Sequence, residues 1–212
     1  GSFDLIVNPL PTVPNPVPAY TLCDYTGQAL YEQFDLSTKI PEIIGTTTGL
    51  EVKFYKTQVL ANAGTAGTEL PTLYTNEVAT VQTIFVRVTN STTGCYTVTA
   101  MDLRVEPLPV LVMPTAPVTT CDGTNNDGIG DFDLTTLIPG MLSGEANVVL
   151  SFHETQQNAE NGLFPITVQP YQNINPWTQT LWVLATNTVT GCKSVYSFNL
   201  LVEPAPIMPT LL

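Results

Sequence analysis

Hydrophobic and polar positions alternate most clearly in "TIFVRVTN" (83–90), where Ile84, Val86 and Val88 fall on one face and Arg87 on the other. A second run, "CYTVTAMDLRV" (95–105), puts Met101, Leu103 and Val105 in phase but Val98 out of it. The same slip recurs later, with Phe198, Leu200 and Val202 against Val195. A three-residue step in a period-two pattern predicts a β-bulge or bend near Thr99-Ala100. The only stretches with helical character are "DLSTKIPEII" (35–44) and "DLTTLIPGML" (133–142), each opened by an Asp able to cap a short turn and each interrupted by proline.

The recurrence extends along the whole chain. "QTIFVRVTNSTTGCYTV" (82–98) aligns with "QTLWVLATNTVTGCKSV" (179–195), "QFDLST" (33–38) with "DFDLTT" (131–136), and "KFYKTQ" (53–58) with "SFHETQ" (151–156). The offset falls from 98 to 97 between Thr57 and Tyr74, so one residue is lost in a loop. "FDLIVNPLP" (3–11) matches "MDLRVEPLP" (101–109) and "FNLLVEPAP" (198–206). The expected organisation is therefore the last strand of a preceding repeat (1–11), repeat 1 (12–109), repeat 2 (110–206) and the start of a further linker (207–212). Short strands punctuated by turn residues in about 100 residues predict an all-β fold: two tandem immunoglobulin-like β-sandwich modules. The joints, "NPLPTVPNPVP" (8–18) and "EPLPVLVMPTAP" (106–117), are proline-rich and predict semi-rigid, extended spacers.

Composition narrows the function classes. Charged residues make up 11% of the 212, far below the usual level of about 25%, and the formal net charge is −12 with six Lys and Arg. Phosphate recognition needs a basic footprint, which excludes nucleic acid as a partner and disfavours anionic membrane surfaces. No apolar stretch approaches the ~20 residues of a membrane span, so no membrane insertion is expected. The leading Gly1-Ser2 reads as an expression-vector remnant, leaving any secretion signal outside this sequence.

Four cysteines fall one pair per repeat: Cys23, Cys95, Cys121 and Cys192. No Cys-x-x-Cys spacing supports zinc or thioredoxin-like chemistry. If each repeat closes on itself, the bonds are Cys23–Cys95 and Cys121–Cys192; the alternative is four buried thiols. Bonds of this kind persist in oxidising compartments and place the protein outside the cell.

"CDGTNNDGIGDFDLTT" (121–136) concentrates oxygen donors. Asp122, Asn125, Asp127, Asp131 and Asp133 form a candidate calcium set, with Gly128 and Gly130 permitting tight turns. The spacing fits an EF-type loop only in part, since the first ligand position is Gly123. Repeat 1 has "CDYTGQALYEQFDLST" (23–38), of equal length without the Asp-Asn core, so the fold does not require an ion there.

Little else suggests chemistry. His153 is the only histidine and aligns with Tyr55, so no Ser-His-Asp set can be built without it. Trp182 aligns with Phe85 within a strand and is expected in the core. Trp177, in a loop near Tyr171, is a candidate aromatic platform for a sugar ring. Asn90-Ser91-Thr92 matches a glycosylation sequon. The shared residues are apolar, turn-forming or cysteine, which points away from an enzyme.

Taken in order, the Cys-Asp opening, the Asp/Asn/Gly loop, "FDLTT", "FHETQQNAENG", "QTLWVLATNTVTGC" and "LLVEPAP" resemble the tandem modules of large Bacteroidota (Flavobacterium-type) surface proteins. These are gliding-motility, SprB-like adhesins exported by the type 9 secretion system. The resemblance implies an extracellular, cell-anchored array of structural or adhesive repeats. Its implied partners are neighbouring repeats of the same chain and a surface polysaccharide or other adhesion target. It also implies that the acidic loop of repeat 2 is the cation candidate. The rival expectation is a carbohydrate-binding module built on Trp177 and Tyr171.

Overall fold

The computed structural model describes Leu5 and residues 7–206. The expected linker at 207–212 lies outside the described residues, as do positions 1–4 and 6 of the expected leading strand; residues 7–11 are not in a strand. Two compact units divide the chain, Gly1–Pro107 and Leu108–Leu212.

Unit 1 is built from β1 (Val17–Cys23), β2 (Gln33–Asp35), α1 (Ile40–Ile44), β3 (Leu50–Tyr55), α2 (Gln58–Ala63), β4 (Leu73–Thr75), β5 (Val81–Asn90) and β6 (Tyr96–Glu106). Its larger sheet has the order β1-β6-β5-β3, and β2 pairs with β4 in a second, two-stranded sheet. β3, β5 and β6 are antiparallel neighbours, while β1 runs parallel to β6. This is the C-F-G sheet of the immunoglobulin sandwich, with the B–E pair opposite. Unit 2 repeats the plan with β7 (Val118–Cys121), β8 (Asp131–Phe132), α3 (Ile138–Leu142), β9 (Val148–His153), α4 (Gln156–Asn161), β10 (Tyr171–Gln172), β11 (Thr178–Asn187) and β12 (Lys193–Glu203), in the order β7-β12-β11-β9 with β10-β8 opposite. Both units are all-β immunoglobulin-like domains.

The alternation in 83–90 is the core face. Ile84, Val86 and Val88 are fully buried, as are Phe34, Leu36, Met101, Leu103 and Val105. Leu181, Val183, Ala185, Leu134 and Leu200 do the same in unit 2. Each large side chain so buried contributes about 1.5–3 kcal/mol over an exposed one.

The slip at Val98 has a different origin from the bulge expected. β5 and β6 stay in unbroken register from Thr89↔Tyr96 to Val81↔Arg104. Thr99 takes the inward position, buried, and its hydroxyl bonds to Pro14 O (3.1 Å) and Asn15 Oδ1 (3.2 Å). The pattern breaks because a polar side chain fills a core slot and binds the incoming segment. The register shift lies instead in β1, between Val17 and Tyr20.

The two stretches with helical character each form a 3-10 turn followed by one short helix. Asp35 and Asp133 cap them, accepting from Ser37 N and Thr135 N at 3.0 Å. The proline sits in the first turn of α1 and of α3, where its missing N–H costs nothing. Helices α2 and α4 do not stand out in the hydrophobic pattern. Their signals are local: Thr57 and Thr155 cap the N-termini, accepting from Leu60 N and Asn158 N, and Gly64 and Gly162 end them in the left-handed conformation. They lie on the outer face of the larger sheet, over Tyr55 and Arg87 in unit 1 and over His153 and Leu184 in unit 2. Arg87 fixes α2 by donating to Ala61 O and Asn62 O (both 2.8 Å) while its guanidinium stacks on Tyr96. Trp182 is half-buried on this outer face and not in the main core.

Candidate functional site

The cysteines form the most informative constellation. In the parallel β1–β6 ladder Cys23 stands opposite Glu106, and Asp24 N donates to Glu106 O at 3.0 Å. Cys95 lies in the β5–β6 turn, its carbonyl accepting from Asn90 N at 2.8 Å, immediately before β6 begins. Eleven residues of extended strand therefore separate the two levels, about 35 Å at 3.3 Å per residue. Disulfides need Cα atoms about 4.4–6.8 Å apart. Unit 2 is built alike, with Cys121 opposite Glu203 and Cys192 accepting from Asn187 N in the β11–β12 turn. The expected bonds Cys23–Cys95 and Cys121–Cys192 are accordingly not found. Cys23 and Cys192 are disulfide-bonded, while Cys95 (half-buried) and Cys121 (exposed) carry free thiols. Each unit thus bears one cysteine at either pole of its sandwich.

The acidic loop is organised by its own carboxylates. Asp122 is buried, and its Oδ2 accepts from Gly128 N at 2.7 Å. Asp127 Oδ1 accepts from Ile129 N (3.0 Å), and Asp133 Oδ1 serves the cap described above. Asn125 and Asp131 are exposed. Among the described residues no group of three or more His, Cys, Asp or Glu is placed to hold a metal ion, while Asp122 Oδ1 is buried without a hydrogen-bond partner. Repeat 1 folds the same turn without the Asp-Asn core: Asp24 accepts from Gln28 N (3.1 Å) and Leu30 N (3.0 Å). The shared role is that of the Asp after the first cysteine, which closes a loop. Calcium bound here would raise the chain's melting temperature in millimolar calcium above that in EDTA; equal melting temperatures would count against the ion.

Tyr171 and Trp177 do not form a sugar platform. Tyr171 is 6% exposed, with its ring in the core of unit 2. Its hydroxyl accepts from Gln179 Nε2 (2.7 Å) and donates to Glu154 Oε1 (3.2 Å). Burial, aided by the Glu154 carboxylate, pushes its pKa up to about 12. A raised tyrosine pKa stabilises the folded state below the ordinary value near 10 and loses that contribution as pH rises toward 12. Unit 2 is thus expected to weaken across pH 10–12, and Tyr171→Phe to flatten that slope in thermal melts at stepped pH. Trp177 is 39% exposed, and its indole lies against Gly128, where a Cβ would come within 2.8 Å of Trp177 Cδ2. Its backbone N–H donates to Gly128 O at 2.9 Å, so it closes the acidic loop.

A buried polar frame escaped sequence reasoning. Asn173 Oδ1 accepts from Gly130 N (2.7 Å), and its Nδ2 donates to Gly128 O (2.9 Å) and Asn175 O (2.7 Å). Asn76 does the same in unit 1 with Glu32 N, Leu30 O and Val78 O. Gln82 and Gln179 join Tyr74 and Tyr171 to the following corner. The signal was the recurrence of Tyr, Asn and Gln at fixed spacing before β5 and β11. His153, fully buried, spans Ser151 Oγ and Leu163 O (both 2.9 Å). Asn90 of the sequon accepts from Thr92 N and Thr93 N, organising the β5–β6 turn.

The model of the Flavobacterium inter-domain disulphide bond domain matches residues 19–109 and 117–206. The chain belongs to this family. Two copies of the inter-domain disulphide bond domain therefore fill most of its length, one per unit. No curated protein matches. Among solved structures, titin domains I67–I69 in an E-to-A variant are 12% identical, covering 92% of this chain and 65% of that one at a TM-score of 0.31. Drosophila OTK extracellular domains 3–5 are 10% identical, covering 91% and 61% at a TM-score of 0.37. Drosophila N-cadherin EC1-3 is 12% identical, covering 75% and 57% at a TM-score of 0.29. The chain thus spans under two thirds of the length of these three. The strand order given above, not these distant superpositions, defines the fold. Among the described residues no helix is long and apolar enough to cross a membrane.

Proposed function

We propose that this protein is a non-enzymatic spacer made of structural repeats, in which covalent bonds between successive domains stiffen an extended surface array. The observation that carries this reading is the placement of each unit's cysteines at opposite poles, out of each other's reach. The polypeptide leaves unit 1 at Glu106, beside Cys23. Three residues on, Pro109 O accepts from Ser194 Oγ (2.6 Å) and Tyr196 Oη (2.9 Å), close in sequence to Cys192. Cys23 and Cys192 are the bonded pair of residues, one per unit, and from the inter-domain disulphide bond of the family's description we infer that they bond to each other. Pro11 O accepts likewise from Thr97 Oγ1 (2.7 Å), close in sequence to Cys95. Cys95 and Cys121 accordingly stand where bonds to further repeats would form.

A ladder of this kind persists only where thiols are oxidised, which supports an extracellular location. Attachment to a surface through many weak contacts is the role that the resemblance to cell-surface adhesins adds. Non-reducing digestion with mass spectrometry is the test. The expected product joins the Cys23 and Cys192 peptides, with Cys95 and Cys121 alkylated. Recovery of a Cys23–Cys95 peptide would overturn the reading.

A further inference from the structure

The two units differ most in the loop after the outer-face helix. Leu70 N–H donates to Phe54 O (2.7 Å) in unit 1, and Ile166 N–H donates to Phe152 O (2.8 Å) in unit 2. Between the helix-ending glycine and that anchor, unit 1 has the five residues 65–69 and unit 2 has the three residues 163–165. The short version is pinned at both ends. His153 Nδ1–H donates to Leu163 O, Leu163 N–H donates to Asn158 O (2.9 Å), and Ile166 is held as above. The squeeze leaves Phe164 at φ +47° and 77% exposed. A bulky residue in the left-handed region is an outlier that persists only when its surroundings impose it, and such strain concentrates at ligand clamps.

Phe164 has company. Leu163 and Val168 are 52% and 72% exposed, and a groove of about 280 Å³ runs between Phe164, Ile166 and Val168 on one side and Glu154 with Tyr171 on the other. The lining is mixed: Glu154 and Thr167 offer polar groups beside the apolar Phe164, Ile166 and Val168, and the Tyr171 hydroxyl is engaged by Gln179 and Glu154. That suits a peptide carrying both apolar and charged side chains. Residues 108–212 carry eight Asp and Glu against one Lys, so the surrounding field favours a cation.

We propose that the 163–168 loop of unit 2 is a docking site for a cationic, apolar peptide segment of a partner protein. The Phe164 ring and Val168 grip an aliphatic side chain, and the Glu154 carboxylate takes a neighbouring lysine or arginine. An exposed aromatic on an anchored backbone is an anchor of the kind that dominates protein contacts. Unit 1 lacks the site: its longer loop ties itself back through Gly67 N to Glu69 Oε2 (2.7 Å).

The test uses the full chain and a fluorescent decapeptide of alternating Leu and Lys, read by anisotropy at about 150 mM salt. Phe164→Gly, which relieves the backbone and should leave the melting temperature equal or higher, is expected to weaken binding about tenfold. Glu154→Gln should weaken it several-fold, and a Ser-Lys decapeptide should bind about tenfold less tightly than the Leu-Lys one. Equal binding by wild type and Phe164→Gly would overturn the site. Phe164-dependent binding of a neutral hexasaccharide in place of the peptide would overturn the ligand class.

Discussion

Replacing either Cys23 or Cys192 with serine is expected to destabilise the chain by about 3 kcal/mol, the usual worth of a disulfide closing a long segment. For domains of this size that lowers the melting temperature by more than 10 °C. The titratable thiols should rise from the two now free, Cys95 and Cys121, to three. Cys95→Ser and Cys121→Ser should leave the melting temperature in place. The double replacement at Cys23 and Cys192 should cost no more than either single one, because two ends of one bond cannot be lost twice. Additive losses, read by calorimetry, would show that the two residues do not share a bond.

The second large effect is expected at Asn173. Alanine there orphans Gly130 N and the Asn175 carbonyl and leaves Gly128 O with its bond from Trp177 N, all around a side chain that is 3% exposed. An unmade buried hydrogen bond costs about 1–3 kcal/mol, so the loss should reach about 3 kcal/mol or more and fall on unit 2 alone. Unit 1, held by its own Asn76, should melt unchanged. Two resolved transitions, one shifted and one not, would be the signature in a calorimetric scan. Asn173→Asp keeps the acceptor for Gly130 N but loses the donors, and should fall between wild type and alanine.

Much of this architecture was legible because it was written twice. The period-two run at Ile84, Val86 and Val88 marked the central strand, and the Asp caps at Asp35 and Asp133 marked the short helices. Two features misled. Thr99 occupies an inward slot because its hydroxyl has partners at Pro14 and Asn15, and a hydropathy pattern registers only its polarity. The cysteines recur once per pole, and recurrence alone carries no information on which cysteine meets which. The needed constraint was length: a strand that starts just after Cys95 and runs eleven residues carries its far end well beyond the span of a disulfide. The acidic loop reads two ways in sequence, since oxygen donors that cap backbone amides and oxygen donors that ligate metals are the same atoms. Asp122 Oδ2 and Asp127 Oδ1 take the first use, while Asp122 Oδ1 is buried without a hydrogen bond. Phe164 could not be read from sequence, since its exposure follows from a deletion that matters only once both ends of the loop are anchored.

The parallel pairing of β1 with β6 has a mechanical consequence. Each domain is entered at one pole along its first strand and left at the other along its last, and these two strands lie side by side pointing the same way. Tension applied through the backbone therefore loads their hydrogen bonds in shear, all together, and cannot peel them open one at a time. A chain built so yields late and abruptly.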